Sequence, residues 1–399
     1  MQIISEGSIT SPKGFAAGST ASGIKKSGLD LCIVASDRPA LAAGVFTTNK
    51  VKAAPVYLCR EHLADGKSRA IVVNSGNANA CTHERGMADA REMASLTAEK
   101  LGISAEEVLV ASTGVIGVHM PMTAVRSGIA AIELAPDGGP VAARAIMTTD
   151  TRPKARAVSL EIAGQTVTIG GMVKGAGMIH PNMATLLCFV ATDAAVSSAG
   201  YLRECLVSAV DDSFNMITID GDTSTNDTLL LIANGAAGNE AIQPGTAEAA
   251  AFQEALSYVA AELAKAVPAD GEGATKLVEV RVSGAADRDD ARRAARAVAG
   301  SSLVKSAVYG ADPNWGRVLC ALGYSGAAVD QEKADIRIGE VTLMKDGDIQ
   351  PFVKATASAQ LAGPTVYIYC DLHLGDGQAT AWGCDLTEAY VDINAKYTT

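Results

Sequence analysis

The chain has 399 residues, of which 48% are hydrophobic and 19% charged, so it can bury a large core without disulfides or structural metals. Its 33 basic and 44 acidic side chains leave a net charge of −11, and no basic run of about five residues or more occurs, which argues against a nucleic-acid-binding protein. There is no signal-peptide pattern and no apolar stretch of about 18 residues, and the eight cysteines are scattered singly. We therefore expect a cytoplasmic protein whose thiols are buried in a reducing compartment.

The first part of the chain predicts short strands separated by turns and one long helix. Residues 85–101 place Met, Ala and Leu side chains at helical spacing, which predicts an amphipathic helix. Residues 157–169 alternate between apolar and polar side chains on both sides of Gly164, which predicts a hairpin that turns there. The other strands predicted in this part cover residues 31–36, 41–47, 70–74 and 108–111.

The second part interleaves helices and strands without the regular alternation of a parallel α/β sheet. A stretch rich in Gly and Met at 170–185 leads into an apolar run at 186–191, which predicts a buried strand. Helices are predicted over 199–211, 246–266 and 287–298, and a strand over 278–282. The tail alternates at 355–360, 365–370 and 389–393, which predicts three more strands. The chain is therefore expected to have an α/β or α+β fold.

Motifs that mark several common classes of enzyme are absent. The sequence has no GxxxxGK[ST], no GxGxxG after a strand, no GxSxG and no HExxH, which weakens nucleotide-binding, α/β-hydrolase and zinc-peptidase interpretations. The segment that begins at Asp220 resembles a calcium-binding loop, but it lacks Gly at the sixth position and has Leu231 at the twelfth, so no metal site is predicted. His180 is interpreted as a hydrogen-bonded turn residue before Pro181.

The segment that leads to Thr185 carries the strongest chemical signal. It is rich in glycine, which allows strained backbone conformations, and Thr185 stands immediately before the predicted buried strand. A chain cut before Thr185 would carry a hydroxyl and a free α-amino group on one residue. An α-amino group titrates near pH ~8, so it can act as the general base for that hydroxyl. From spacing alone, an ordinary Gly-rich loop that enters a strand is the favoured interpretation.

The same segment also carries a specific family resemblance. It reads Lys174-Gly-Ala-Gly-Met-Ile-His-Pro-Asn-Met-Ala-Thr185. This run resembles the self-cleavage and nucleophile motif of the ornithine acetyltransferase family, the glutamate N-acetyltransferases of arginine biosynthesis. The resemblance covers essentially the whole chain, and its other matching segments are residues 73–81, 112–117, 147–151, 220–227, 312–317 and 390–399.

The resemblance implies a self-cleaving enzyme with a threonine nucleophile, Thr185. The cut falls between Ala184 and Thr185 and gives chains of residues 1–184 and 185–399, which intertwine in one catalytic unit. The implied fold is a four-layer αββα sandwich, shared with self-processing aminopeptidases. Thr113 and Gly114 match the oxyanion-hole positions, where a hydroxyl and a backbone N–H would stabilise negative charge. Without the resemblance, a plain strand-to-loop turn would be favoured there.

Six positions match the substrate-binding residues of the family. They are Thr148, Lys174, Thr185, Glu272, Asn394 and Thr399. N-acetylornithine carries one carboxylate and one ammonium group, so Lys174 is a natural partner for the carboxylate and Glu272 for the ammonium. Motif alignment alone selects Thr148 over Thr149, and a shift by one residue stays open.

The function implied by the resemblance is acetyl transfer from N2-acetyl-L-ornithine to L-glutamate through an acetyl ester of Thr185. No metal or cofactor is expected, and the use of acetyl-CoA as a second donor stays open. The expected partners are these small molecules and the protein's own second chain, in a heterotetramer with two copies of each chain, and neither nucleic acid nor membrane. The alternatives are an aminopeptidase or amidase of the same fold, in which water accepts the acyl group, and a non-catalytic binding protein.

Overall fold

The computed structural model describes residues 1–180 and 186–396, so Ala184, Thr185 and Thr399 lie outside the described residues. The strands are β1 (Gln2–Ile4), β2 (Phe15–Thr20), β3 (Leu31–Ser36), β4 (Leu41–Phe46), β5 (Ala70–Asn77), β6 (Val108–Val115), β7 (Lys154–Ile162), β8 (Gln165–Lys174), β9 (Leu187–Thr192), β10 (Thr228–Ala233), β11 (Leu277–Ala285), β12 (Asp335–Ile338), β13 (Val341–Lys345), β14 (Asp348–Ile349), β15 (Thr365–Asp371) and β16 (Gly377–Cys384). The helices are α1 (Ala54–His62), α2 (His83–Leu101), α3 (Met122–Ala131), α4 (Gly139–Ala145), α5 (Ala199–Asp211), α6 (Ala247–Ala266), α7 (Arg288–Gly300), α8 (Ser302–Tyr309), α9 (Trp315–Gly323), α10 (Lys354–Ala359) and α11 (Glu388–Lys396).

Two β-sheets lie face to face at the centre of the molecule. The larger is six-stranded in the order β1-β7-β8-β9-β10-β4, and the smaller is four-stranded in the order β2-β3-β5-β6. Alternate side chains of each sheet point into the space between them. Val73 and Leu109 from the smaller sheet share one apolar cluster with Phe189 and Leu230 from the larger, and none of the four is more than 1% exposed. Strands such as β9 are buried on both faces, which explains their continuous apolar runs.

Helices cover the outer face of each sheet. Helices α1, α2 and α3 contact the smaller sheet, where Ile33, Val110 and Met93 belong to one buried cluster. Helices α5 and α6 contact the larger sheet, where Val190 and Phe252 belong to another. The resulting order of helix, sheet, sheet and helix confirms the four-layer αββα sandwich that the family resemblance implies.

A third sheet follows the sandwich and was not distinguished by the sequence patterns. It has six strands in the order β14-β13-β12-β15-β11-β16, and helices α7 and α9 contact it. Its buried residues Val280 and Ile368 belong to the same apolar cluster as the outer face of the larger central sheet. The third sheet is therefore joined to the sandwich through a continuous core.

Two of the three strands predicted in the tail are wrong. Residues 355–360 and 389–393 lie mostly in helices α10 and α11. The alternation in the first of these is between Ala and small polar residues, and Ala favours helix. In α11 the side chains of Tyr390 and Asn394, four residues apart, share one helix face and line one cavity.

Other elements agree closely with the sequence patterns. The helix predicted over 85–101 is α2, and the strand predicted over 365–370 is β15. The predicted hairpin is formed by β7 and β8, whose turn residues Ala163 and Gly164 both have positive φ, at 49° and 77°. In the part of the chain that the structure describes, no helix has the length and apolar character needed to cross a membrane.

Candidate active site

Every predicted site residue that the structure describes lines one cavity. Its wall includes Thr113, Gly114, Thr148, Lys174, Glu272 and Asn394, and Thr149 lies in the wall beside Thr148. Leu186, whose nitrogen is bonded to Thr185, also lines the cavity. The other residues of the wall are Ala78, Ile116, Gly177, Met178, Ile179, Leu187, Asp220, Asp222, Ser224, Thr225, Asn226, Asp227 and Tyr390.

The end of strand β6 brings Thr113 and Gly114 to the cavity. Strand β6 pairs in parallel with β5, and their register shifts next to Gly76. Gly114 has a φ of 130°, and a Cβ there would lie 2.3 Å from the carbonyl carbon of Gly76, so the close approach of the two strands requires glycine. The amide of Asn226 donates to the carbonyl oxygen of Ser112 at 2.8 Å and thereby holds this strand end in place.

Lys174 is the last residue of β8 and places a buried cation in the cavity wall. It is 8% exposed, and its Nζ donates to Thr113 Oγ1 at 3.4 Å, which is a long hydrogen bond. Burial lowers the pKa of Lys174 because it disfavours the ammonium form, and the neighbouring Asp150 opposes that shift. A buried ammonium group held this loosely can gain from binding an anionic ligand.

A buried ion network behind Lys174 supports the cavity wall, and sequence reasoning missed it. Lys154 Nζ lies 2.6 Å from both Asp150 Oδ1 and Asp270 Oδ2, and none of these side chains is more than 3% exposed. Asp150 also accepts the backbone N–H of Gly175 at 2.7 Å. Burial disfavours the ionised form of Asp150 and by itself would raise its pKa. The charges of Lys174 and Lys154 and the hydrogen bonds outweigh burial, so the pKa of Asp150 is lowered to about 2. Lys154 and Asp270 are 116 residues apart, so no local pattern could pair them.

Glu272 and Asn394, both predicted to bind substrate, contact each other. Asn394 Nδ2 donates to Glu272 Oε2 at 2.8 Å. The backbone N–H of Glu272 donates to the carbonyl oxygen of Ala176 at 2.8 Å, which ties this loop to the Gly-rich segment after β8. A Cβ on Gly177 would lie 2.5 Å from the Glu272 carboxyl carbon, so the carboxylate rests directly on the backbone of that segment. The arrangement fixes a carboxylate in the cavity wall.

Asp220 holds the turn that precedes residue 181. Its carboxylate accepts the backbone N–H groups of Met178 at 2.6 Å and Ile179 at 2.9 Å, and Met178 has a φ of 57°. The hydroxyl of Tyr390 also donates to it at 3.3 Å, and burial together with Asp220 raises the pKa of that phenol. Asp220 therefore acts here as a support for a strained turn.

The described side chains that could share a metal ion lie outside this cavity. Among residues 1–180 and 186–396, the His, Cys, Asp and Glu side chains close enough to share one ion are Asp335, Asp346 and His373. None of these three lines the cavity.

His180 is hydrogen-bonded, as the sequence interpretation proposed. Its Nδ1 lies 3.0 Å from Thr218 Oγ1, and its Nε2 accepts from the guanidinium of Arg296 at 3.0 Å. Because arginine can only donate, Nε2 carries no proton. Burial and the charge of Arg296 lower the pKa of His180. The ring is thus a neutral structural group, and it does not line the cavity.

Asp227 stands directly before β10 and contributes a buried acid to the cavity wall. It is 1% exposed, and its Oδ2 has no hydrogen-bond partner within the described ranges. Burial raises the pKa of Asp227 well above its ordinary value, against the opposing effect of the Ser224 and Thr47 hydroxyls. It therefore keeps its proton at pH values where an exposed aspartate is ionised. Sequence analysis assigned Asp227 no role, although an acidic residue directly before an apolar run can be recognised in the sequence as a candidate site residue.

Comparison with known proteins places this chain in a family. The model of the ArgJ family matches residues 16–399. This chain belongs to the ArgJ family. The arginine biosynthesis bifunctional protein ArgJ of Symbiobacterium thermophilum is 58% identical over 398 residues, which cover 98% of this chain and 99% of that protein. The ArgJ protein of Dehalococcoides mccartyi is 51% identical over 402 residues, which cover 100% and 99% of the two chains.

A solved structure of an ArgJ protein agrees with this membership. The crystal structure of ArgJ from Bacillus halodurans is 48% identical, with a TM-score of 0.51, and the match covers 52% of this chain and 98% of that chain. The structure of an ornithine acetyltransferase from Mycobacterium tuberculosis, complexed with ornithine, is 41% identical, with a TM-score of 0.42 and coverage of 46% and 99%. The family resemblance found in the sequence is confirmed by the ArgJ match.

Proposed function

We propose that this ArgJ-family chain transfers the acetyl group of N2-acetyl-L-ornithine to L-glutamate, through an acetyl ester on Thr185, in arginine biosynthesis. One observation carries the proposal: a single cavity holds the buried cation Lys174, the fixed carboxylate of Glu272 and the strand end at Thr113 and Gly114. Family membership supports the pathway, since the curated relatives are named for arginine biosynthesis.

The charges of the cavity fit an amino acid with a cationic side chain. N-acetylornithine offers an α-carboxylate to Lys174 and a side-chain ammonium to Glu272, whose carboxylate is oriented by Asn394. Thr148 adds a hydroxyl to the same wall, and Thr399 is the remaining substrate-binding residue of the proposal. Glutamate shares the α-carboxylate but has no ammonium on its side chain. Lys174 therefore serves both half-reactions, and Glu272 mainly the first.

The transfer proceeds in two half-reactions. The free α-amino group of Thr185 takes the proton of its own hydroxyl, the oxygen attacks the acetyl carbonyl carbon, and the proton passes to the departing nitrogen of ornithine. The amino group of glutamate then attacks the acetyl ester, and the Thr185 oxygen leaves with a proton. Since ornithine leaves before glutamate binds, the kinetics are ping-pong.

Thr113 and Gly114 stabilise the oxyanion that forms in each half-reaction. Thr113 Oγ1 accepts from Lys174 Nζ at 3.4 Å, so its single O–H proton stays free to be donated into the cavity. The backbone N–H of Gly114 is the second donor. One such donor typically stabilises the transition state by about 3 kcal/mol.

The proposal includes self-cleavage between Ala184 and Thr185, because the mechanism needs a free α-amino group. The products are chains 1–184 and 185–399, two copies of each forming a heterotetramer in the cytoplasm. The matched Bacillus halodurans chain supports a cut protein, since it is matched over 98% of its own length but covers 52% of this chain. All eight cysteines are free thiols, which agrees with a reducing compartment. The proposal uses no cofactor, and acetyl-CoA is a second donor to be tested.

Intact-mass measurement of the purified protein tests the cleavage. We expect two chains, of which the larger begins at Thr185. A single 40.8 kDa chain would favour the non-catalytic alternative. Thr185→Ala is expected to stay uncut and to lose transfer completely, because both reactions need the same hydroxyl. A Thr185→Ala chain that is cut at this bond would contradict the mechanism.

Initial-rate kinetics test the transfer. Parallel double-reciprocal lines for N-acetylornithine and glutamate are expected from one shared site, and intersecting lines would contradict it. Ornithine release that does not depend on glutamate would instead identify water as the acceptor, as in an aminopeptidase or amidase. Acetyl-CoA in place of N-acetylornithine tests the second donor in the same assay.

A further inference from the structure

Asp150 is a buried carboxylate that connects two segments of the cavity wall. Its Oδ2 accepts the backbone N–H of Thr148 at 3.0 Å. Its Oδ1 accepts the backbone N–H of Gly175, which follows Lys174, at 2.7 Å. Thr148 and Lys174 both line the cavity, whereas Asp150 itself is not part of the wall. A single side chain therefore fixes the backbone of the two segments that carry these predicted substrate-binding residues.

The same carboxylate serves two buried lysines in different ways. Lys154 Nζ lies 2.6 Å from Asp150 Oδ1 and 2.6 Å from Asp270 Oδ2, so it would keep one carboxylate if Asp150 lost its charge. Lys174 Nζ donates instead to the hydroxyl of Thr113. The charge of Asp150 acts on Lys174 across the space between them, and Lys174 in turn helps to lower the pKa of Asp150.

Lys174 needs a favourable charge nearby because it is buried. Burial disfavours its ammonium form and lowers its pKa. Of the neighbouring charges, that of Asp150 acts most strongly and favours the ammonium form, whereas that of Lys154 disfavours it. The charged groups of the described segments that interact with Lys174 are Asp150, Lys154, Asp227, Glu272 and Lys25. Loss of the Asp150 charge would therefore move Lys174 toward a neutral amine.

We propose, on the basis of the function proposed above, that Asp150 is a positioning residue for binding the α-carboxylate of both substrates. It holds the backbone at Thr148 and beside Lys174, and it keeps Lys174 an ammonium group. Asp150 acts through these residues and takes no part in the acetyl transfer itself. Loss of its charge should therefore weaken the binding of both substrates and leave the chemical step nearly unchanged.

Asp150→Asn tests the proposal, and Asp270→Asn is its matched control. The two acids are similarly buried, at 8% and 6% exposed, and each lies 2.6 Å from Lys154 Nζ. Either change leaves Lys154 with one carboxylate, so we expect similar losses in melting temperature. Asp270 is not among the charges that act most strongly on Lys174, so Asp150→Asn alone should change the protonation of Lys174.

Initial rates measured over a range of pH give KM and kcat for both substrates. Asp150→Asn should raise both KM values by about ten-fold or more at neutral pH and leave kcat within a few-fold of wild type. The pH above which KM rises should fall by at least about one unit, because a nearby opposite charge is lost. Asp270→Asn should keep the wild-type pH dependence of KM. The same pH dependence in Asp150→Asn as in wild type would overturn the proposal.

A second substitution separates the charge of Asp150 from its structural contacts. Lys154→Met added to Asp150→Asn removes the cation that disfavours the ammonium form of Lys174. The pH dependence of KM should then move back toward wild type. A purely structural role predicts no such recovery, because the double variant loses more contacts than the single one. Absence of recovery in a folded double variant would overturn the electrostatic part of the proposal.

Binding to the wild-type protein gives a readout that needs neither a variant nor turnover. The probe is 5-aminopentanoate, which has one carboxylate, one ammonium group and no acetyl group, and both charges persist between about pH 6 and 8. Its calorimetric Kd should stay level across this range. A Kd that rises steadily with pH, or no binding at all, would overturn the role of Asp150. Level binding without acetyl transfer would overturn the proposed function and leave that role in place.

Discussion

The two ends of strand β9 hold buried polar groups that differ in how fully they are hydrogen-bonded. At its C-terminal end, the Asp193 carboxylate accepts N–H groups from Thr168 at 2.6 Å and Lys13 at 3.0 Å. At its N-terminal end, Asp227 has an oxygen without a partner in the described ranges, and Lys174 makes a 3.4 Å hydrogen bond. An unsatisfied buried group costs roughly 1–3 kcal/mol, so such groups are rare in a structural role. We call the first the structural end of the strand and the second, which borders the cavity of the proposed reaction, the reactive end.

Two buried lysines near the reactive end also differ in how fully their charges are paired. Lys154 lies 2.6 Å from two carboxylates, those of Asp150 and Asp270, and these charges neutralise it within the fold. Lys174 is also buried, but its ammonium group donates to the neutral hydroxyl of Thr113. Asp150 faces both lysines, since both help to lower its pKa. A paired charge thus supports the wall, and a loosely held one is left to bind an anion.

The largest effect is expected from a small change in the backbone at the reactive end. Gly114→Ala would place a Cβ 2.3 Å from the Gly76 carbonyl carbon at a φ of 130°, so the strand end must shift and move its oxyanion donors. We expect transfer to fall by about 10²–10³-fold in kcat. Gly117→Ala is the control, because Gly117 also has positive φ, at 80°, but no atom lies within 4 Å of a Cβ there. Equal losses in the two variants would show that strain alone, and not the oxyanion donors, explains the effect.

Charge changes in the same wall are expected to have intermediate effects. Lys174→Ala should raise KM for both N-acetylornithine and glutamate, because both carry the α-carboxylate. Glu272→Gln keeps an oxygen that can accept from Asn394 but removes the charge, so it should weaken N-acetylornithine more than glutamate. Each lost charge-assisted contact should lower kcat/KM by roughly ten- to a hundred-fold. Equal effects of Glu272→Gln on both substrates would remove Glu272 as the ammonium partner.

The sequence motifs identified site residues near the reactive end of β9 but no residue at its structural end. Motif matches selected Thr113, Lys174 and Glu272, which the fold brings into one cavity although they belong to distant segments. The αββα layers were predicted from the family resemblance and not from the strand patterns, because short apolar strands do not specify how sheets stack. Contacts made only in three dimensions, such as the pair of Lys154 and Asp270, leave no local pattern. Two of the three strands predicted in the tail are wrong, because alternation over only five or six residues does not distinguish a strand from a helix.

The smallest effect is expected at the structural end and should be confined to stability. Burial raises the pKa of Asp193, against the opposing N–H donors of Thr168 and Lys13. The folded protein therefore holds this proton at pH values where the unfolded chain has released it. The resulting stabilisation is fully present below the unfolded pKa and is lost as the pH rises through the folded pKa. Asp193→Asn removes the titration and exchanges one acceptor oxygen for a donor, so the free energy of unfolding should fall by about 1–3 kcal/mol at acid pH and by less at neutral pH. Denaturant unfolding across this pH range measures the difference, and a loss of acetyl transfer by the folded variant would show that the two ends of β9 are coupled.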